Sequence, residues 1–250
     1  MVTEGSEIII KLDRLLIKCI REYGLILDGD KILVGLSGGK DSLALIELLA
    51  NRSKIFAPRF SITALHIEME NIGYKSDTDY LKSFCDGLGV RFFVRKGCFD
   101  MDSDNRKSPC FLCSWNRRKL LFAFAKEIGC NKIALGHHKD DILTTLLMNM
   151  TFQGSFSTMP PILAMDKFDM KIIRPLSLIS EMDLSKLSET KGYKIQPKCC
   201  PYENSSYRGD IRRIISELEA LNPNAKSHLW GSMENIQQYY LPKKIQTNSN

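Results

Sequence analysis

Ser37-Gly38-Gly39-Lys40-Asp41-Ser42 brings together the residue types that a chain uses to hold phosphate. Two adjacent glycines let backbone N–H groups approach phosphate oxygens, and a helix starting behind them adds the partial positive charge of its N-terminus. Ser37 and Ser42 offer hydroxyls, Lys40 a cation, and Asp41 a carboxylate able to hold Mg²⁺ or brace the loop. The spacing is not that of a Walker A loop, which needs four residues between its glycines before Lys-Ser/Thr, and this argues against phosphoryl transfer of the kinase or GTPase type. A glycine-rich turn with no ligand is the weaker reading of so complete a string.

A second group is Cys110-Phe111-Leu112-Cys113, placed in a loop just before the helix that carries Arg117, with Cys199-Cys200-Pro201-Tyr202 about ninety residues later. A CxxC serves as a redox pair, as half of a metal site, or arises by chance. A thioredoxin-like pair would follow the first strand of its domain. A four-cysteine zinc site would need a second CxxC, which adjacent Cys199 and Cys200 cannot supply. Three thiolates leave one coordination position open, and such soft ligands suit an iron–sulfur cluster. The third group, Gly136-His137-His138-Lys139-Asp140-Asp141, ends a predicted strand over 132–135. Ligands of open α/β sheets sit outside the carboxyl ends of strands, so this loop is expected to face Ser37–Ser42 across one crevice.

The SGGKDS string resembles the pyrophosphate loop of the N-type ATP pyrophosphatase superfamily. That resemblance implies adenylation of a carbonyl-type oxygen, with pyrophosphate leaving. With "CFLCSWNRRKLLFAFAKEIGCNKIALGHHKDD", "MPP", "IIRPL" and "CCPYENSSYRGDIRR", most of the chain resembles the tRNA 2-thiocytidine synthetase (TtcA) family and its thiouridylase relatives of the TtuA type. What the resemblance implies is a [4Fe–4S] cluster on Cys110, Cys113 and Cys200, with Cys199 as the alternate third ligand. It implies ATP and Mg²⁺ at Ser37, Gly38, Gly39, Lys40, Asp41, Ser42, Ile67, Gly136 and His137, with Asp140 or Asp141 positioning metal or substrate. It also implies tRNA as substrate, a sulfur donor such as a cysteine desulfurase, and a possible homodimer. The chain departs from the family twice. Thr144 stands where relatives commonly carry Glu, and Arg117 where thiouridylases carry a functional Lys. An arginine stays protonated, which suits charge stabilisation or RNA contact rather than general-base work. A TtuA-type relative would carry N-terminal CxxC zinc knuckles, which are lacking here. An ATP-dependent amide ligase with a zinc or structural CxxC, and a non-enzymatic RNA-binding module, are the readings from other classes.

The elements that must position these residues alternate. Ile9, Leu12, Leu16, Cys19 and Ile20 predict an amphipathic helix over 6–23. Strands are expected at 31–36, 61–67, 90–94, 132–135 and from Lys171. Helices are expected at 42–49, 77–87, 115–128, 140–152 and 181–190. The pattern predicts an α/β, Rossmann-like parallel sheet with helices on both faces. The domain expectation is a helix over 1–27, an ATP pyrophosphatase domain over 28–190, and a helical segment over 191–250 with helices near 206–221 and 232–240. The uncharged run 142–165 is long enough to span a bilayer, but Asn149, Gln153, Gly154 and Pro160-Pro161 make it read as a helix end plus loop.

At 250 residues and 44% hydrophobic, the chain is neither disordered nor a disulfide miniprotein. The N-terminal segment alternates charged and apolar residues, without the apolar core of a secretion signal, so a cytoplasmic location and reduced cysteines are expected. Cys19, Cys85, Cys98 and Cys130 are expected to pack in the core. The formal charge of +6 is concentrated over 105–139, where eight basic residues meet one acidic residue, Glu127. Such a field favours a polyanion such as RNA or ATP.

Overall fold

Alternate residues of β1 (Lys31–Gly35) serve two different cores. Ile32 and Val34 pack among helices α1 (Glu4–Glu22), α2 (Lys40–Ser53), α3 (Thr78–Leu88) and α6 (Glu181–Lys191), whereas Leu33 packs with α4 (Pro109–Glu127) on the other face. A strand buried on both sides must be apolar at successive positions, and this one is. The lead-in helix is held by the same logic: Leu12, Leu16 and Cys19 are fully buried at helical spacing.

The computed structural model describes residues 4–71, 76–99, 109–165, 169–196 and 207–242. Among these residues six strands form one sheet in the order β3-β2-β1-β4-β6-β5. Here β2 is Ser61–Met69, β3 Arg91–Gly97, β4 Lys132–Ala134, β5 Ile162–Ala164 and β6 Lys171–Ile173. All pairings are parallel except β5 with β6. From β1 the chain builds outward to β2 and β3 on one side, then crosses to β4 and β6 on the other. The winding reverses between β1 and β4, so their carboxyl ends flank a topological switch point. The Ser37–Ser42 loop follows β1 and the Gly136–Asp141 loop follows β4.

A third, smaller core lies under α5 (Lys139–Gln153), where Leu143 meets Ile211 and Ile215 of α7 (Arg208–Leu221), with Leu229 and Trp230 of α8 (Ala225–Glu234) packed against it. Among the described residues no helix is long and apolar enough to cross a membrane.

Several expectations are corrected. The expected parallel sheet holds from β3 to β6 but carries an antiparallel edge, because Ile162–Ala164 within the expected loop pairs with β6. The CxxC does not lie in a loop: α4 starts at Pro109, a residue favoured at the first helical position, so Cys110 and Cys113 stand within its first turns. The last α-helix begins at Ala225, and only a 3₁₀ turn at Gln238–Tyr240 remains of the later part of the expected one. Cys19, Cys85 and Cys130 are buried, but Cys98, just past the edge strand β3, is exposed. The basic segment is not one patch either. Lys132 turns inward, donating to Asp30 Oδ2 at 2.6 Å and to the Leu25 carbonyl at 2.9 Å.

Candidate functional site: a two-part cleft at the switch point

The phosphate loop is braced from within. Ser42 Oγ accepts from the Gly38 N–H at 3.1 Å and donates to the Gly39 carbonyl at 2.9 Å, while the Ser37 hydroxyl lies 3.1 Å from it. Gly38 has φ +84°, and a Cβ there would come within 2.4 Å of the Gln196 side chain, so only glycine fits. Gly136 answers it from the other loop: a Cβ would sit 3.2 Å from the Asp41 carbonyl carbon. The two loops therefore touch backbone to backbone.

Between them lies a cavity of about 360 Å³. Ser37, Gly39, Lys40, Asp41 and Ser42 line one wall, Gly136, His137, His138 and Asp141 the other, and Glu181 and Arg212 complete it. Lys40 Nζ stands 3.2 Å from Asp41 Oδ1 and donates to Glu181 Oε1 at 3.2 Å. Burial opposes the Lys40 charge, but Asp41 and Glu181 outweigh it and hold the ammonium above the ordinary lysine value. Asp41 Oδ1 is buried and accepts no well-formed hydrogen bond, an acceptor suited to Mg²⁺ accompanying a nucleotide.

The aspartate pair divides. Asp141 faces this cavity, with Oδ1 3.0 Å from Arg212 Nη2 and Oδ2 accepting from the His138 N–H at 3.3 Å. Asp140 does not line it. Its Oδ2 accepts from the Glu181 N–H at 2.7 Å, and its Oδ1 pairs with Lys226 Nζ of α8 at 2.7 Å. Burial pushes the Asp140 pKa up, but Lys226 and the Glu181 N–H together outweigh it, so Asp140 stays ionised below the usual carboxylate range. The structure thus gives Asp140 a tie between α5, α6 and α8. Thr144, fully buried, donates to the Asp140 carbonyl at 2.7 Å and leaves no third carboxylate at this turn.

A second cavity, about 290 Å³, opens on the α4 side and shares Gly35, Ser37, Leu135 and His137 with the first. Leu36, Leu65 and Ile67 supply apolar wall, and Ser114, Arg117 and Arg118 of α4 supply polar wall. His137 at the seam is held neutral: burial, then the Arg174 guanidinium, push its pKa down to about 4. Arg174 is itself buried at 6% exposure, donating to the Pro160 carbonyl, and burial together with Arg118 lowers its pKa to about 10. His66, also buried, shares its Nδ1 with the Leu36 carbonyl at 2.8 Å and is kept neutral by burial and by Arg117.

Cys110 and Cys113 stand one helical turn apart, both half-buried, on the helix that also lines this cavity. Two thiols on one turn fit the soft donor set of an iron–sulfur cluster. Cys19 and Cys85, by contrast, are fully buried, and burial pushes their thiols up to about 12. Cys200 and Cys199 lie outside the described residues, and among the described residues no three potential ligands converge on a metal position.

The structure thus brings Ser37, Gly39, Lys40, Asp41, Ser42, Gly136, His137 and Asp141 to one cavity and Ile67 and Arg117 to the adjoining one, and leaves Gly38 and Asp140 off both linings. Sequence reasoning missed Glu181, Arg212 and Gln196. Gln196 is buried, donates its N–H to the Gly38 carbonyl at 2.9 Å, and accepts from the Asp77 N–H at 2.6 Å. No local spacing announces these three; the only trace is that Arg212 falls inside the quoted "SSYRGDIRR" string.

The PP-loop domain model matches residues 7–218. A tRNA-cytidine(32) 2-sulfurtransferase from Sorangium cellulosum is 34% identical over 92% of this chain and 83% of its own. The one from Pseudomonas putida is 35% identical over 90% and 84%. Among solved structures, the U34-tRNA thiolase NcsA from Methanococcus maripaludis, with its [4Fe-4S] cluster, superposes with a TM-score of 0.77 at 27% identity, over 97% of this chain and 84% of that one. An NMN synthetase from Francisella tularensis shares the fold alone, with a TM-score of 0.51 at 12% identity over 98% and 99% of the two chains. With a phosphate loop and a CxxC helix meeting at one switch point of its own sheet, the chain belongs to the PP-loop ATP pyrophosphatases, in the TtcA–TtuA family.

Proposed function

We propose that this chain is an ATP-dependent tRNA sulfurtransferase that adenylates the C2 oxygen of a pyrimidine, cytidine by preference, and replaces that oxygen with sulfur. The observation that carries the reading is the seam at Gly35, Ser37, Leu135 and His137, which joins a phosphate-binding cavity to one built on the CxxC helix. ATP and a target base can meet only where such spaces are continuous.

Ser37, Gly39 and Ser42 grip the phosphates of ATP, Lys40 neutralises the departing pyrophosphate, and Asp41 and Asp141 hold its Mg²⁺. Leu36 and Ile67 give an apolar surface for a flat base. The C2 oxygen attacks the α-phosphorus, the bond to pyrophosphate breaks, and the base carries AMP as its leaving group. Neutral His137 at the seam offers a hydrogen-bond partner without adding charge. Arg117 and Arg118 hold RNA phosphate oxygens, and the target nucleotide leaves its stack to enter, so a tRNA loop is reached more readily than a duplex. Cys110, Cys113 and Cys200 would hold the [4Fe–4S] cluster, which would present sulfide drawn from a separate donor as the nucleophile, with AMP as the leaving group. The proposal extends to a sulfur donor such as a cysteine desulfurase, a cytoplasmic location and a homodimer.

Nucleoside mass spectrometry of tRNA from a strain lacking this chain tests the reading: 2-thiocytidine disappears and returns on complementation. Loss of 2-thiouridine instead would assign the uridine reading, which the NcsA likeness favours. A full set of thionucleosides in the deletion strain would overturn both.

A further inference from the structure

Arg212 reaches the phosphate-loop cavity from α7, a helix that belongs neither to the loop nor to the sheet. Its Nη2 lies 3.0 Å from Asp141 Oδ1 and its Nη1 4.0 Å from Glu181 Oε2. Lys40 meets the same Glu181 at 3.2 Å. Lys40 and Arg212 are thus interleaved with Asp41, Asp141 and Glu181 along one lining, and both cations converge on one carboxylate. In this arrangement the acidic groups outnumber the basic ones. A triphosphate entering it would be repelled unless the pairs exchange partners.

Arg212 is built for such an exchange. Its side chain is 43% exposed, so it can swing without opening a core. Its neighbours Ile211 and Ile215 are buried against α5 and keep the helix in place. A guanidinium fork matches two phosphate oxygens as well as it matches a carboxylate. Because Arg212 and Lys40 share Glu181, a group within reach of one is within reach of the other. The phosphates that Lys40 serves, those that leave as pyrophosphate, are therefore the ones Arg212 can reach.

We propose that Arg212 is a ligand of the pyrophosphate portion of the nucleotide, releasing Asp141 and Glu181 as it turns to the β- and γ-phosphates. The inference rests on reading this cavity as the ATP site, and it makes α7 part of that site.

Calorimetric titration of ATP, inorganic pyrophosphate and AMP, each with Mg²⁺, into wild type, Arg212→Ala and Arg212→Lys tests it. Arg212→Ala weakens ATP and pyrophosphate by about ten- to a hundredfold, leaves AMP unchanged, and keeps the thermal unfolding midpoint; Arg212→Lys recovers part of the loss. Equal weakening of all three ligands would mean that Arg212 only props the cavity open, and unchanged ATP affinity would remove it as a ligand; either outcome overturns the proposal. Wild type that binds none of the three would instead overturn the reading of the cavity itself, and the assignment of Arg212 with it.

Discussion

In the phosphate-loop half of the cleft each cation already has a carboxylate: Lys40 is placed between Asp41 and Glu181, and Arg212 meets Asp141. The α4 half is lined by Arg117 and Arg118, with buried Arg174 close enough to Arg118 to feel its charge, and its described lining contains no acidic residue. A pre-paired surface suits a ligand that brings charges of both signs, as Mg²⁺ with a nucleotide does, because each pair finds a new partner on binding. A described lining whose charges are all positive suits a plain polyanion, whose strand releases counterions as it docks. One fold places both at a single switch point, and adenylation needs both.

If the halves are separable, each can be damaged alone. Cys110→Ala and Cys113→Ala are expected to lose the iron and abolish thiolation while ATP binding persists, since neither thiol lines the phosphate-loop cavity. Anaerobic iron and sulfide quantitation beside nucleotide titration checks this; iron retained in both variants would remove these thiols as ligands. Lys40→Ala is expected to cut pyrophosphate release by about 10²–10³-fold and leave tRNA retention intact. If tRNA binding fell as steeply, the division between the halves would be wrong.

Much of the phosphate-loop half was legible because its residues act through local backbone. A glycine pair between a strand and a helix can do little else, and Gly38 at φ +84° bears that out. The partners of those residues were not legible. Glu181 meets Lys40 across 141 positions, and Gln196 reaches Asp77 across 119, so only the folded chain brings them together. The aspartate pair shows a subtler limit. Asp140 and Asp141 are neighbours at the start of α5, yet adjacent helical residues point about 100° apart. One therefore faces the cavity and the other faces Lys226, a choice that depends on where α8 packs. The CxxC is helical because α4 starts at Pro109, and a proline that can open a helix is equally at home in a loop.

The α4 half makes a weaker, graded prediction. Arg118→Ala is expected to reduce the dependence of log tRNA affinity on log salt by about one unit and to weaken binding alike for different tRNAs. The binding of ATP should not respond. A slope identical to wild type would mean that Arg118 does not touch the RNA backbone, and the one-signed surface would lose its purpose.

The smallest effect sits at the seam. His137 belongs to both halves and is held neutral first by burial and then by Arg174, with a folded pKa of about 4 against an ordinary value of 6.5. A histidine whose folded pKa lies below its unfolded value binds its proton more readily in the unfolded chain. Stability is therefore unaffected above pH 6.5 and declines as the pH falls from there toward 4, where the folded form also takes up the proton. Asp140 adds its own loss only lower, below the ordinary carboxylate value, because its folded pKa is depressed. Urea unfolding of wild type and His137→Gln across pH 2–7 separates the two windows. The variant should lose part of the slope above the carboxylate range and keep the acid limb. Some slope remains because His66 is shifted in the same direction. If His137→Gln left the upper window untouched, His137 would not be the neutral group at the junction, and the field of Arg174 would end inside the α4 half.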